Sequence, residues 1–275
     1  MKYNIKNHIW KQLFGLVIVM FFLFASCVKE IDHPIAAKAE NALVVEAILT
    51  NEMKRQRIRL SLSNTHQNQE VLPVKGASVT VSCSSGEQSF EEDEENAGSY
   101  LSALPFAASI SDTYILKINY NGQNYTAFSQ MSAVSSYNPI HYEKLQNDLY
   151  HLSNPTSSFT IDEQAMYELN IIWQSGTDST IHVKTYRYQL NTLDVSIVFS
   201  PEEESIYFPE GAMIIGKKYS LTQDYAGYIR AMLAETHWQG GLFDDEKANL
   251  PTNISNGGLG YFTACSVRTD TIIVK

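Results

Sequence analysis

Of the seven histidines in the chain, six follow position 27: His33, His66, His141, His151, His182 and His237. They are scattered, and single scattered histidines are usually solvated or hydrogen-bonded rather than metal-bound. A helical zinc site would need a His-Glu-x-x-His run, a serine nucleophile a Gly-x-Ser-x-Gly elbow and a redox pair a Cys-x-x-Cys motif; none of the three occurs. The acidic runs Glu91 to Glu95, Glu202 to Glu204 and Asp244 to Glu246 lack the alternating loop with a central glycine that encircles calcium, so they read as solvated turns. Glycoside hydrolysis needs two carboxylates at a set separation, and no pair can be singled out among acids this dispersed. The expectation is a non-enzymatic protein without metal or cofactor.

Cys27 is different. Lys2, Lys6 and Lys11 form a cationic start, Leu13 to Phe24 is an apolar run, and Leu23-Phe24-Ala25-Ser26-Cys27 closes it. About 20 apolar residues are needed to span a bilayer, so the run fits a signal-peptide core rather than a transmembrane helix. The closing residues resemble a lipobox, in which cysteine receives diacylglycerol and becomes the first mature residue. Residues 1–27 are thus expected to be a lipoprotein signal peptide ending at its lipidation site. Lys29 and Glu30 follow, and this charged pair resembles the export signal that sends lipoproteins of Bacteroidota to the outer face of the outer membrane. Residues 28–40 carry Pro34 and several alanines without strong periodicity and read as a flexible tether. Extended, it would reach roughly 45 Å at about 3.3 Å per residue. A net charge of −10 argues against nucleic acid as a partner, because phosphate backbones attract basic surfaces.

Strand signals dominate the remainder. Arg57-Ile58-Arg59-Leu60-Ser61-Leu62 alternates strictly, and Ala77, Val79, Val81 and Cys83 share one face of a further strand. Tyr114, Leu116, Ile118 and Tyr120 alternate again before Asn121-Gly122, a pair suited to a type I′ hairpin turn. Residues 41–132 therefore predict an Ig-like β-sandwich. Ser135-Ser136 and Asn138-Pro139 suggest a boundary, and residues 133–275 predict a second β-rich domain. That domain carries one amphipathic helix near 221–238, with Tyr225, Tyr228, Ile229, Met232 and Leu233 in one stripe after a Ser220-Leu-Thr-Gln223 capping pattern. The stripe reads as core, packed on the second sheet. Cys83 and Cys265 read as buried free thiols, their pairing undecided without their separation.

Asn256-Gly257-Gly258-Leu259-Gly260 places three glycines in four positions, which implies a tight turn with φ > 0 or a close backbone approach, and a β-branched residue at Gly258 is expected to be excluded. The dinucleotide and Walker spacings are absent.

Gly76 to Val81, Gly98-Ser99-Tyr100, Tyr114 to Ile118 and Gly122 to Ala127 resemble the transthyretin-like, carboxypeptidase-regulatory type of Ig-like domain, which implies a structural module. Pro251 to Phe262, followed by a strand, resembles the closing signature of a Bacteroidota lipoprotein family, domain of unknown function 4249, and Leu43 to Thr50 resembles its opening strand, with Ala47 where the family commonly has glycine. This resemblance implies a lipoprotein encoded near TonB-dependent outer-membrane receptors and implies no established chemistry. The expectation is a lipid-anchored outer-membrane protein facing the exterior, acting as a non-enzymatic accessory of a TonB-dependent transporter. A fimbrillin-like structural or adhesive subunit is the alternative, since Lys54-Arg55-Gln56-Arg57 is basic enough for cleavage. A glycan-acting enzyme comes third.

Overall fold

The computed structural model describes residues 41–64, 70–110, 112–136, 139–145, 147–153, 165–174, 181–190, 206–236 and 250–275. All fall in one compact unit, Lys38–Lys275. The first strands are β1 (Leu43–Thr50), β2 (Arg57–Leu62), β3 (Leu72–Pro73), β4 (Ser78–Cys83), β5 (Gly86–Glu92), β6 (Ser99–Ser102), β7 (Thr113–Tyr120) and β8 (Gln123–Gln130). There follow β9 (Tyr142–Lys144), β10 (Leu149–Leu152), β11 (Ala165–Gln174), β12 (Ile181–Leu190), β13 (Tyr207–Pro209) and β14 (Met213–Ser220). Helix α1 (Gln223–Thr236), β15 (Leu259–Cys265) and β16 (Val267–Ile273) complete the chain. The protein is mainly β, as the alternation predicts.

The first sheet runs β15-β1-β2-β6-β5-β4-β7-β8, with β3 beside β2. Alternation sets which side chains turn inward. Leu43, Val45, Ala47 and Leu49 of β1 are buried together with Ile58 and Leu60 of β2, Val79 and Val81 of β4, and Leu116 and Ile118 of β7. The Asn121-Gly122 turn forms with φ 50° and 76°, and β7 and β8 pair from Tyr120↔Gln123 to Thr113↔Gln130. These primed-turn angles match the twist of the strands they join. Buried Tyr100 donates its hydroxyl to the Val74 carbonyl at 3.1 Å and accepts from the Ala77 amide at 3.0 Å, satisfying the one polar atom it carries into the core.

A boundary at residue 133 separates strands in sequence but does not separate the sheets. β15 pairs in parallel with β1 over seven positions, Val44↔Leu259 to Thr50↔Cys265. On the other side the segment leading into β15 and β15 itself meet β8: the Ser255 amide donates to the Thr126 carbonyl at 2.9 Å, and the Ala264 amide donates to Ser129 Oγ at 2.8 Å. The C-terminal segment therefore closes the first sheet, which places residues 252–265 in the predicted N-terminal sandwich. The physical reason is visible in the burial of β15. Phe262 and Ala264 enter the first core, while Tyr261 and Cys265 are buried on the opposite side against α1. A strand covered on both faces reads as a continuous apolar run, as Leu259 to Cys265 does.

The second sheet, β12-β11-β14-β16, is antiparallel throughout. One face packs Leu169, Ile171 and Ile214 against Tyr150 and Phe208 of a small β13-β10-β9 sheet. β15 passes into β16 through Ser266 alone, so one run of chain serves both sheets. The joint is fastened from three sides. Ser266 N–H donates to Ser220 Oγ at 2.8 Å, Val267 N–H donates to Asn51 Oδ1 at 2.7 Å, and Lys217 Nζ pairs with Glu52 Oε1 at 3.0 Å. Nearby Lys218, 1% exposed, donates to Ser135 Oγ at 2.6 Å and lies over the Tyr167 ring.

Helix α1 begins at Gln223 with Thr222 as its cap: Thr222 Oγ1 accepts from the Tyr225 amide at 3.3 Å. Ser220, expected to cap it, is committed to the joint. The helix packs on the second sheet, as expected, and on β15 of the first as well. Tyr225, Ala226 and Ile229 pack on Met166 of the second sheet and on Tyr261 and Cys265 of β15, so it seals the line where the sheets meet.

Candidate functional site

The glycine-rich turn seats β15 beside β1. Asn256 and Gly257 hold φ 57° and 73°, and the Gly258 amide donates to the Ser255 carbonyl at 3.1 Å. Gly258 itself has no positive φ and meets the close-approach alternative instead: an added Cβ there would lie 2.5 Å from Ile254 Cγ2 and 3.2 Å from Tyr125 Cδ1. Gly260 combines both constraints, with φ 80° and an added Cβ that would overlap the Val45 carbonyl. Ahead of the turn, Asn253 acts as a short strand of its own. Its Oδ1 accepts from the Phe262 amide at 3.0 Å, and its Nδ2 donates to the Phe262 carbonyl at 2.7 Å and the Phe128 carbonyl at 3.1 Å. Thr252 Oγ1 donates to the Gly258 carbonyl at 3.3 Å.

A cleft of about 610 Å³ opens between this braced segment and the first two turns of α1. Pro251, Thr252 and Asn253 form one wall, and Gln223, Asp224, Gly227 and Arg230 of the helix form the other, with Tyr261 below. The volume falls in the range of small-molecule sites, about 300–1,000 Å³. Tyr225 and Tyr228 of the helix stack with ring centroids 5.9 Å apart, and Tyr261 meets both at a tilt, 5.1 and 5.0 Å away. Burial raises all three hydroxyl pKa values, well above the usual value for Tyr225; the Asp224 carboxylate adds to the rise at Tyr261 and Glu46 to that at Tyr228. The phenols are therefore neutral at physiological pH, and the described cleft lining carries one acid, Asp224, and one base, Arg230. The tyrosine stripe is core, as the sequence predicts.

The other candidate residues do not converge. Cys27, Lys29 and Glu30 lie outside the described residues, as do His33, His66 and His237. His151 faces Glu143 at 3.9 Å across β9 and β10, and His182 stacks on Trp173 at 5.2 Å between centroids. Among the described residues no group of three or more His, Cys, Asp or Glu is placed to hold a metal. Cys83 and Cys265 are free thiols; Cys83 is half-buried, whereas Cys265 is fully buried and its pKa is pushed up to about 12 by that burial. Asp93 caps the Glu91–Glu95 turn, accepting from the Glu95 amide at 3.1 Å and from Asn96 Nδ2 at 2.9 Å. No helix among the described residues is long and apolar enough to cross a membrane. Sequence reasoning missed the cleft. Its one local signal was the polar strip Gln223, Asp224, Gly227 and Arg230 beside the aromatic stripe.

These features define a three-sheet β protein in which one run of chain, β15 to β16, passes from the first sheet to the second and whose single described helix walls a cleft. The chain belongs to the family described as domain of unknown function (DUF4249), whose model matches residues 28–271. No curated protein matches. Two solved structures titled as cytokine receptor complexes are similar to it at 9% and 10% identity, with TM-scores of 0.23 and 0.22. The first match covers 84% of this chain and 96% of the other, and the second covers 65% and 90%.

Proposed function

We propose that this protein is a lipid-anchored, surface-exposed outer-membrane lipoprotein that acts as a non-enzymatic accessory of a TonB-dependent transporter. The anchor rests on the Leu23 to Cys27 lipobox and the Lys29-Glu30 pair that follows it. The observation that carries a binding role is an apolar row on the open face of the second sheet. Val183, Ile172, Met213 and Ile273 stand directly opposite one another across β12, β11, β14 and β16. Val183 is 55% and Ile273 59% exposed, and Ile181 beside them is 68% exposed. Ile172 and Met213 between them are half-buried, and an apolar row exposed at both ends supports a contact surface. A patch of five residues supports a weak contact rather than a permanent one, and confinement to one membrane plane raises the effective concentration enough for a weak contact to serve.

The fimbrial alternative requires cleavage near Lys54 to Arg57. Such a cut would release β1, which carries four buried core side chains and pairs with both β2 and β15. Gln56 adds a restraint, its fully buried side chain hydrogen-bonded to Thr50, Glu52 and Phe106.

The test is affinity purification from the native outer membrane in gentle detergent. The wild-type chain should bring down a TonB-dependent barrel, and a Val183→Glu, Ile273→Glu double variant should not. Cys27→Ala should leave the protein soluble or unprocessed. Recovery of no barrel, or turnover of a glycan or peptide by the purified protein, would refute the accessory role.

A further inference from the structure

Gly227 sits in the second turn of α1, where glycine is about 1 kcal/mol less favourable than alanine. Internal packing gives no reason for it, because an added Cβ would meet nothing within 4 Å. The space it leaves open belongs to the cleft. Glycine lets another backbone approach closely, and among the described residues nothing stands within 4 Å of a Cβ added at Gly227.

Charge identifies what that chain would be. Asp224 lies three residues before Gly227 and Arg230 three residues after it, so the two groups flank the open strip. Six residues of helix rise about 9 Å, and an extended peptide advances about 3.3–3.6 Å per residue. Along the helix axis the span is therefore about that of three extended residues. Arg230 carries five N–H donors in a planar fork, so it can donate to a ligand carboxylate while keeping other contacts. The opposite wall is suited to stay still, since Thr252 and Asn253 are already committed to backbone hydrogen bonds.

We infer that this cleft binds short zwitterionic peptides, with the ligand ammonium at Asp224, its backbone over Gly227 and its carboxylate at Arg230. The inference goes beyond the accessory role and needs no transporter, so it is tested on the purified mature protein alone. Calorimetric titration with tri-alanine should show binding, and acetyl-tri-alanine amide, which lacks both end charges, should bind at least tenfold more weakly. Asp224→Asn should abolish discrimination against the acetylated end, and Arg230→Gln discrimination against the amidated end. Gly227→Leu separates binding from folding: it should raise the melting temperature by a few degrees while weakening tri-alanine binding at least tenfold. Equal binding of free and blocked peptides, no binding of tri-alanine at millimolar concentration, or unaltered binding by Gly227→Leu would each overturn the inference. None of these outcomes bears on whether a barrel co-purifies.

Discussion

Replacing Gly260 with alanine adds one methyl group at the point where β15 is laid against β1. An L-residue held at the positive φ of Gly260 costs about 1–2 kcal/mol. The new Cβ would overlap the Val45 carbonyl, and Val45 is the register partner of Gly260, so the two strands must part locally. Weakening two neighbouring backbone hydrogen bonds adds about 0.5–1.5 kcal/mol each, for a total of roughly 2–5 kcal/mol. In a chain of this size each kcal/mol corresponds to about 2–4 °C, so the melting temperature should fall by roughly 5–20 °C. Gly257→Ala is the control. Its φ is 73°, but an added Cβ meets nothing within 4 Å, so only the conformational cost of about 1–2 kcal/mol applies. Circular dichroism melts of both variants of the mature protein give the comparison. Equal shifts would show that backbone angle rather than strand contact makes the turn, and an unshifted Gly260→Ala would refute the register argument altogether.

Asn253→Ala removes three hydrogen bonds that join β15 to β8, and about 2–4 kcal/mol of stability should be lost in urea titration. Glu52 is pushed up by partial burial, but hydrogen bonds and charge from Lys54 and Lys217 outweigh this and hold its pKa below the ordinary 4.5. A lowered folded pKa adds stability above the unfolded value and loses it as pH falls through the folded one. The advantage of wild type over Glu52→Gln should therefore be full at neutral pH and shrink below pH 4.5, as melting curves across pH would reveal. Maleimide should label half-buried Cys83 in the native protein and leave Cys265 unmodified until denaturant is added, which peptide mapping would detect.

Local order was legible where its cause is local. Asn121-Gly122 specifies its own turn angles, and the alternation of Tyr114 to Tyr120 marks its buried face without reference to any other segment. A strand was expected after Phe262, yet the place of β15 in the first sheet depends on Val45 and Ser129, which lie far from it in sequence. Ser220 and Thr222 are both competent helix caps by residue type; the tie between Ser220 and Ser266, a tertiary contact, leaves Thr222 to do it. The cleft was hidden for the same reason. Asp224, Gly227 and Arg230 share a short stretch of helix, but Pro251 to Asn253 become their opposite wall only after β15 is seated. Glycine spacing left positive φ and close approach open at Gly258, and crowding by Ile254 and Tyr125, which leaves no signature in that spacing, is what applies there.

The position of β15 also governs the order in which the molecule can assemble. A chain made from its N-terminus emerges with β1 to β8 complete and an unfilled slot between β1 and β8. More than 100 residues must then be synthesised before the strand that fills it, on the order of ten seconds at about 5–20 residues per second. Until then β1 offers an unpaired edge and the first core lacks Phe262. Pairing across so long a separation is slow to form because loop closure comes before any gain from contact. Completion is therefore held back to the last stretch of synthesis, and because Ser266 joins β15 directly to β16, the event that shuts the first sheet also delivers the edge strand of the second.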